Sequence, residues 1–92
     1  MKFEWNEAKN RANVLKHGIS FEEASEIFND PMIVSKLDIR YEYGEERWFS
    51  IGATKKGVIT MVAHLYFDEK QEPIIRIISA RKATAKEAQA YA

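Results

Sequence analysis

Ile74-Ile75-Arg76-Ile77-Ile78-Ser79-Ala80-Arg81-Lys82-Ala83 is the stretch on which the reading of this chain turns. Its isoleucines give residues 74–80 the β-branched apolar run of a paired strand. Packing that strand requires neither the two arginines nor the serine and lysine that accompany it. Guanidinium groups held on a rigid sheet make good phosphate clamps. The plainer alternative is that Arg76 and Arg81 form salt bridges with carboxylates elsewhere in the chain. Simple alternation puts Ile74, Arg76 and Ile78 on one face and Ile75, Ile77, Ser79 and Arg81 on the other. Bringing the two arginines together therefore requires a twist, a bulge or the strand end near Ala80.

Upstream, residues 47–53 and 58–67 are β-rich, separated by the turn Thr54-Lys55-Lys56-Gly57, and residues 68–73 lead into the strand at 74–80. These three runs predict an antiparallel meander. Downstream, Thr84-Ala85-Lys86-Glu87 has capping-box spacing and opens a C-terminal helix that ends near Tyr91. At the other end, Phe3 and Trp5 alternate with charged neighbours as a short edge strand would, and Asn6 is an N-cap for a helix over 7–17. Lys16 and His17 in its last turn and Gly18 just beyond it form a good helix stop. Ser20-Phe21-Glu22-Glu23 repeats the capping box, with Phe21, Ala24, Ile27 and Phe28 on one helical face and Asp30-Pro31 as the terminator. Met32-Ile33-Val34 begins a short strand, and the polar stretch 38–46 connects it to the next. The expected architecture is a single α+β domain over residues 1–92. It has an antiparallel sheet of about four strands, two N-terminal helices and one C-terminal helix, with helices on one face of the sheet.

A chain of 92 residues, 46% hydrophobic and 30% charged, has room for one hydrophobic core. It contains no cysteine, so disulfides, thiolate metal sites and cysteine nucleophiles are excluded and the chemistry must come from oxygen and nitrogen groups. No apolar run approaches the ~18 residues of a membrane span and the first residues lack a signal-peptide core, so a cytoplasmic location is expected. The net charge of zero conceals a division: residues 1–46 hold 6 Lys/Arg against 10 Asp/Glu, and residues 47–92 hold 8 against 4. A basic second half suits a protein that meets nucleic acid on one surface, whereas a protein that coats DNA would be basic throughout.

Several side chains are candidates for chemistry. His17 carries an imidazole, a group that can pass a proton either way, or it simply caps the end of its helix. Lys16 beside it can bind phosphate or accept a proton if its pKa is lowered, or remain solvated. Arg47 enters its strand beside Glu45 and Glu46. Trp48, Phe49, Tyr66 and Phe67 are either stacking surfaces for bases or core. His64, on one strand face with Thr60, Val62 and Tyr66, reads as a structural residue. Two histidines 47 positions apart offer no zinc spacing, and the four glycines form neither a phosphate loop nor a dinucleotide fingerprint. No metal or cofactor is expected.

Read in order, Phe3-Glu4-Trp5-Asn6, Asn13, the run from Lys16-His17-Gly18 to Ala24, Phe28-Asn29-Asp30-Pro31, Glu46-Arg47, Gly52 and the run from Arg76 to Ala83 resemble the BrnT family. The resemblance spans nearly the whole chain. It implies a RelE-like fold and a metal-independent ribonuclease, the toxin of a type II toxin–antitoxin pair. It also implies a BrnA-type antitoxin partner that carries the DNA-binding domain, so operator DNA is met only through the antitoxin. The chain departs from the family in its last helix, where Glu87 is followed by Ala88 rather than the common arginine, with Tyr91 retained.

On that resemblance the expected reaction is attack of a ribose 2′-hydroxyl on the adjacent phosphate of RNA. Lys16 or His17 would transfer protons, Arg47, Arg76 and Arg81 would stabilise charge, and Ser79, Lys82 and Tyr91 would bind substrate. The rival reading is a non-catalytic domain, either an antitoxin-binding co-repressor or an RNA-binding module. The ribonuclease reading requires His17, Arg76 and Arg81 to share one cleft.

Overall fold

The computed structural model describes residues 1–40 and 44–91. Five strands, β1 (Lys2–Glu4), β2 (Val34–Leu37), β3 (Arg47–Ala53), β4 (Ile59–Glu69) and β5 (Glu72–Lys82), form one sheet in the order β1-β5-β4-β3-β2. β2 to β5 are antiparallel to their neighbours, while β1 lies parallel to β5, with Phe3 opposite Ile75. The expected sheet of about four antiparallel strands is thus a mixed sheet of five. β1 is three residues long and meets its partner about seventy residues away in the chain, so no turn signal announces the pairing.

The helices form where their caps direct. α1 (Glu7–His17) starts at Asn6, whose side chain accepts from the Lys9 amide, and stops at Gly18 in the left-handed region at φ 71°. α2 (Phe21–Ser25) starts at Ser20, whose hydroxyl oxygen accepts from the Glu23 amide, and tightens into a 3₁₀ turn over Glu26–Asn29. α3 (Ala85–Tyr91) starts with a reciprocal box: the Glu87 amide donates to Thr84 Oγ1, and the Thr84 amide donates to the Glu87 carboxylate.

α1, α2 and the 3₁₀ turn cover one face of the sheet. Phe21, Ala24 and Ile27 pack there on Val62, Ile75, Ile77 and Ala80, all essentially buried. Each fully buried phenylalanine or isoleucine contributes about 1.5–3 kcal/mol of hydrophobic stabilisation. Gly52 in β3 admits the 3₁₀ turn: a Cβ built there would lie 3.0 Å from the Ile27 Cβ and 3.1 Å from its carbonyl oxygen. His64 is buried on this same face. Its ring Nε2 is 2.7 Å from Ser50 Oγ, which lies 2.7 Å from Ser35 Oγ, and burial holds the imidazole below its ordinary pKa.

The β4–β5 hairpin carries the irregularity that matters most. Its register runs from Leu65↔Arg76 and His64↔Ile77 to Ala63↔Ser79 and Met61↔Arg81, so Ile78 is an extra residue on β5. That is a β-bulge, and it reverses the alternation of side chains beyond it. The even alternation expected for residues 74–81 does not hold.

Candidate functional site

Residues directly opposite one another in a sheet project to the same side. Because of the bulge, Arg76, Ser79 and Arg81 all emerge from the face turned away from α1 and α2, opposite Leu65, Ala63 and Met61. β3 extends the same rungs with Arg47 opposite Leu65, Phe49 opposite Ala63 and Ile51 opposite Met61, and β2 sets Lys36 beside Phe49. Arg47 and Arg76 straddle Leu65 at about 10 Å, two strand spacings, and Arg81 lies about 13 Å further along the sheet. Arg40 covers the Phe49 ring, its guanidinium carbon 4.8 Å from the centroid. A groove of about 590 Å³ runs over this face, lined by Lys36, Arg40, Phe49, Met61, Ser79 and Arg81.

Each arginine of the face has a carboxylate beside it. Arg76 Nη1 is 3.2 Å from Glu4 Oε1, across the β1–β5 pairing, and Arg47 is 3.7 Å from Glu45. Arg40 grips Asp38 through two nitrogens at 3.0 and 3.2 Å. Arg81 is clamped by Glu87 of α3 in a bidentate pair at 2.8 and 2.9 Å. The Arg81 guanidinium, aided by the Thr84 amide, draws the Glu87 carboxyl down to about 2. The salt bridges considered at the outset do form, on the same face that gathers the cations.

His17 does not join this group. It lies exposed in the last turn of α1 and borders a smaller groove of about 170 Å³ on the helix side, with Glu23, Lys56 and Lys82. Arg81 and Lys82 are consecutive in β5 and therefore point to opposite faces; Lys82, opposite Thr60, goes with His17. Lys16 is exposed in the same helical turn. Tyr91 also lies apart from Arg76, its hydroxyl donating to the Asp30 carboxylate, which accepts in addition from the Met32 and Ala53 amides. The single cleft of His17, Arg76 and Arg81 expected of a ribonuclease does not form: the two arginines share one face and His17 lies on the other, so a cleavage site on this fold has to be built without the imidazole.

The face thus combines arginines, a lysine, a hydroxyl and a ring on rigid strands. Such a set suits a polyanion with unstacked bases. Lys36, Arg40 and Glu4 belong to it without having been singled out in the sequence. The pattern of Val34 and Lys36 alternating with Ser35 and Leu37 was the available signal for Lys36. Part of the stretch 38–46, read as a connection, lies outside the described residues. Among the described residues no three His, Asp or Glu side chains converge on a point suited to a metal ion, and no helix is long and apolar enough to cross a membrane.

The family model described as ribonuclease toxin, BrnT, of type II toxin–antitoxin system matches residues 5–87. In fold the chain is similar to the Brucella abortus ribonuclease toxin BrnT, known from a crystal structure. The two are 24% identical, with a TM-score of 0.61 over 91% of this chain and 97% of that one. No curated protein matches this sequence. With the model spanning all but the ends of the sequence, this chain belongs to the BrnT family of ribonuclease toxins of type II toxin–antitoxin systems.

Proposed function

We propose that this chain cleaves RNA on the open face of its sheet, without a metal, by attack of a ribose 2′-hydroxyl on the adjacent phosphate. The new bond joins the 2′-oxygen to phosphorus, and the bond from phosphorus to the 5′-oxygen breaks. The 2′-hydroxyl gives up its proton and the departing 5′-oxygen gains one, leaving a 2′,3′-cyclic phosphate and a 5′-hydroxyl. DNA has no such hydroxyl and is spared. The observation that carries this reading is the bulge at Ile78, which sets Arg76, Ser79 and Arg81 on one side of the sheet with Arg47 and Phe49.

On this reading Arg47, Arg76 and Arg81 stabilise the charge that grows on the phosphorane, and Ser79 donates to a non-bridging oxygen. Glu4 and Arg76, 3.2 Å apart, put a proton acceptor beside a fixed cation, so Glu4 takes the 2′-hydroxyl proton, Arg76 stays protonated, and the departing 5′-oxygen takes its proton from solvent water. His17, Lys16 and Lys82 grip a flanking phosphate where the strand passes over the end of β5, and Tyr91 holds α3 in place. The partner is a BrnA-type antitoxin, and operator DNA is contacted through it. The fold is of the RelE kind.

In a second reading this face docks an acidic protein segment and turns nothing over, its arginines exchanging the carboxylates of Asp38, Glu45, Glu4 and Glu87 for those of the partner. Incubating the purified chain with an RNA and the DNA of the same sequence, in EDTA, separates the two. The first reading expects RNA fragments ending in cyclic phosphate, intact DNA, and loss of cleavage in Arg76→Ala and Arg81→Ala. RNA decay that persists unchanged in both variants would assign the activity to a contaminant.

A further inference from the structure

β2 ends the sheet, and among the described residues no strand lies beyond it. All four of its residues are exposed. Its main chain is oriented by one bond: the Asp38 amide donates to the Arg47 carbonyl at 2.7 Å. In an antiparallel ladder, bonded and non-bonded pairs alternate, so positions 34 and 36 bond inward to β3 while Ser35 and Leu37 direct their N–H and C=O groups outward. The close Ser35–Ser50 hydroxyl contact of 2.7 Å fits a non-bonded pair, in which side chains approach more nearly.

Apolar side chains line this open edge, with Met32 64%, Val34 43% and Leu37 37% exposed. A bare edge of that kind is a pairing site that soluble proteins normally cover or charge. The grooves on the two sides of the sheet both reach β2. Val34 and Lys36 border the cationic groove with Arg40 and Arg81. Ser35 borders an apolar groove of about 360 Å³ on the helix side, formed chiefly by Phe28, Ile33, Trp48, Tyr66 and Ile75.

We infer that the edge of β2 is a docking site for an extended segment of the antitoxin, which adds a sixth strand and in which acidic and bulky apolar residues alternate. The period of two follows from the strand itself. Side chains alongside 35 and 37 fall over the apolar groove, and those alongside 34 and 36 fall over Lys36 and Arg40, where carboxylates are complementary. Main-chain bonds to Ser35 and Leu37 supply affinity and the two grooves supply the pattern. That such a strand silences the toxin rests on the proposed RNA site, because its acidic side chains would occupy the cationic groove. The docking itself does not depend on that reading.

The test is residue-resolved amide exchange on the free chain and on its co-purified complex with the antitoxin. Exchange at Ser35 and Leu37 is expected to slow by about tenfold or more in the complex, while Lys36, already bonded inward, changes less. A complex in which Ser35 and Leu37 exchange as fast as in the free chain overturns the inference. Concentration-dependent protection of the free chain would overturn it too, assigning the edge to a second copy. Leu37→Pro removes one outward donor and no bond to β3, and is expected to weaken the complex about tenfold while RNA cleavage by the free variant persists. The exchange measurement needs no substitution and decides the matter if that variant fails to fold. Absence of RNA cleavage together with protected Ser35 and Leu37 would refute the RNA reading alone.

Discussion

The Asn13 side chain bonds both main-chain groups of Ala80, donating to its carbonyl at 2.9 Å and accepting from its amide at 3.2 Å. β1 leaves the edge of β5 at Arg76, so beyond that point a side chain from α1 completes the ladder. The Asn13 amide nitrogen also donates to the Ile19 carbonyl at 2.9 Å, which ties the link between α1 and α2 to the exit of the bulge. Asn13→Ala leaves these buried groups unsatisfied and is expected to cost about 2–4 kcal/mol, read as a lowered urea midpoint with an unchanged slope. Asn13→Asp keeps the acceptor but loses the donor, and should fare no better. A midpoint unmoved by either change would mean that water replaces the side chain.

Arginines on the open face and the histidine on the other side should separate in kinetics. Arg76→Ala and Arg81→Ala are expected to lower kcat/KM on RNA by about 10²–10³-fold, or ~3–4 kcal/mol of transition-state stabilisation. His17→Ala and Lys16→Ala, on the surface of the smaller groove, should cost less than about tenfold and chiefly raise KM. If His17→Ala instead abolished turnover with KM unchanged, the reacting phosphate would sit on the helix side.

On the proposed RNA reading, Glu87 would compete with phosphate for Arg81, which it holds in a bidentate pair. Glu87→Gln keeps the size of the side chain and weakens the bidentate pair, so RNA is expected to bind about three- to tenfold more tightly, measured by fluorescence anisotropy at fixed salt. The same pair sets a pH window. The carboxyl is drawn down to about 2 in the folded chain, so its contribution to stability is fully present above the ordinary carboxylate value and is lost progressively as pH falls from about 4.5 towards 2. Over that range the acid unfolding profile of Glu87→Gln should be flatter than that of the parent chain.

The helices and the meander were legible because they rest on local signals. Asn6, Ser20 and Thr84 each cap a helix through a contact three residues on, and β3 spans the apolar run that predicts it. What the sequence concealed was non-local. β1 and β5 pair across about seventy residues of chain, so their parallel pairing has no local signature. Nothing in Ile77-Ile78-Ser79 marks Ile78 as the extra residue, since any of the three could sit in a strand. The candidate site was half visible for the same reason. The arginines were named from their chemistry, but their common face depends on the bulge, and His17 falls on the other side because α1 packs beside Lys82.

At the far end of the last helix the Tyr91 hydroxyl is tied to Asp30. Asp30 receives the Tyr91 hydroxyl, the Ala53 amide and the Met32 amide, and these bonds, the one from Tyr91 foremost, hold its carboxyl below the usual range. Tyr91→Phe removes one of them and should release the C-terminal turn of α3, raising amide exchange at Ala88 to Tyr91 severalfold while the core of β4 and β5 keeps its rates. The tether should also be acid-sensitive. Because the Asp30 carboxyl is depressed in the folded chain, its stabilising bonds are fully present above the ordinary value near 3.9 and are lost as pH falls through the folded value. Parent and Tyr91→Phe chains should therefore differ in exchange at pH 6 and converge on acidification. If the two chains exchanged alike at every pH, α3 would be held by the Glu87–Arg81 pair without help from Tyr91.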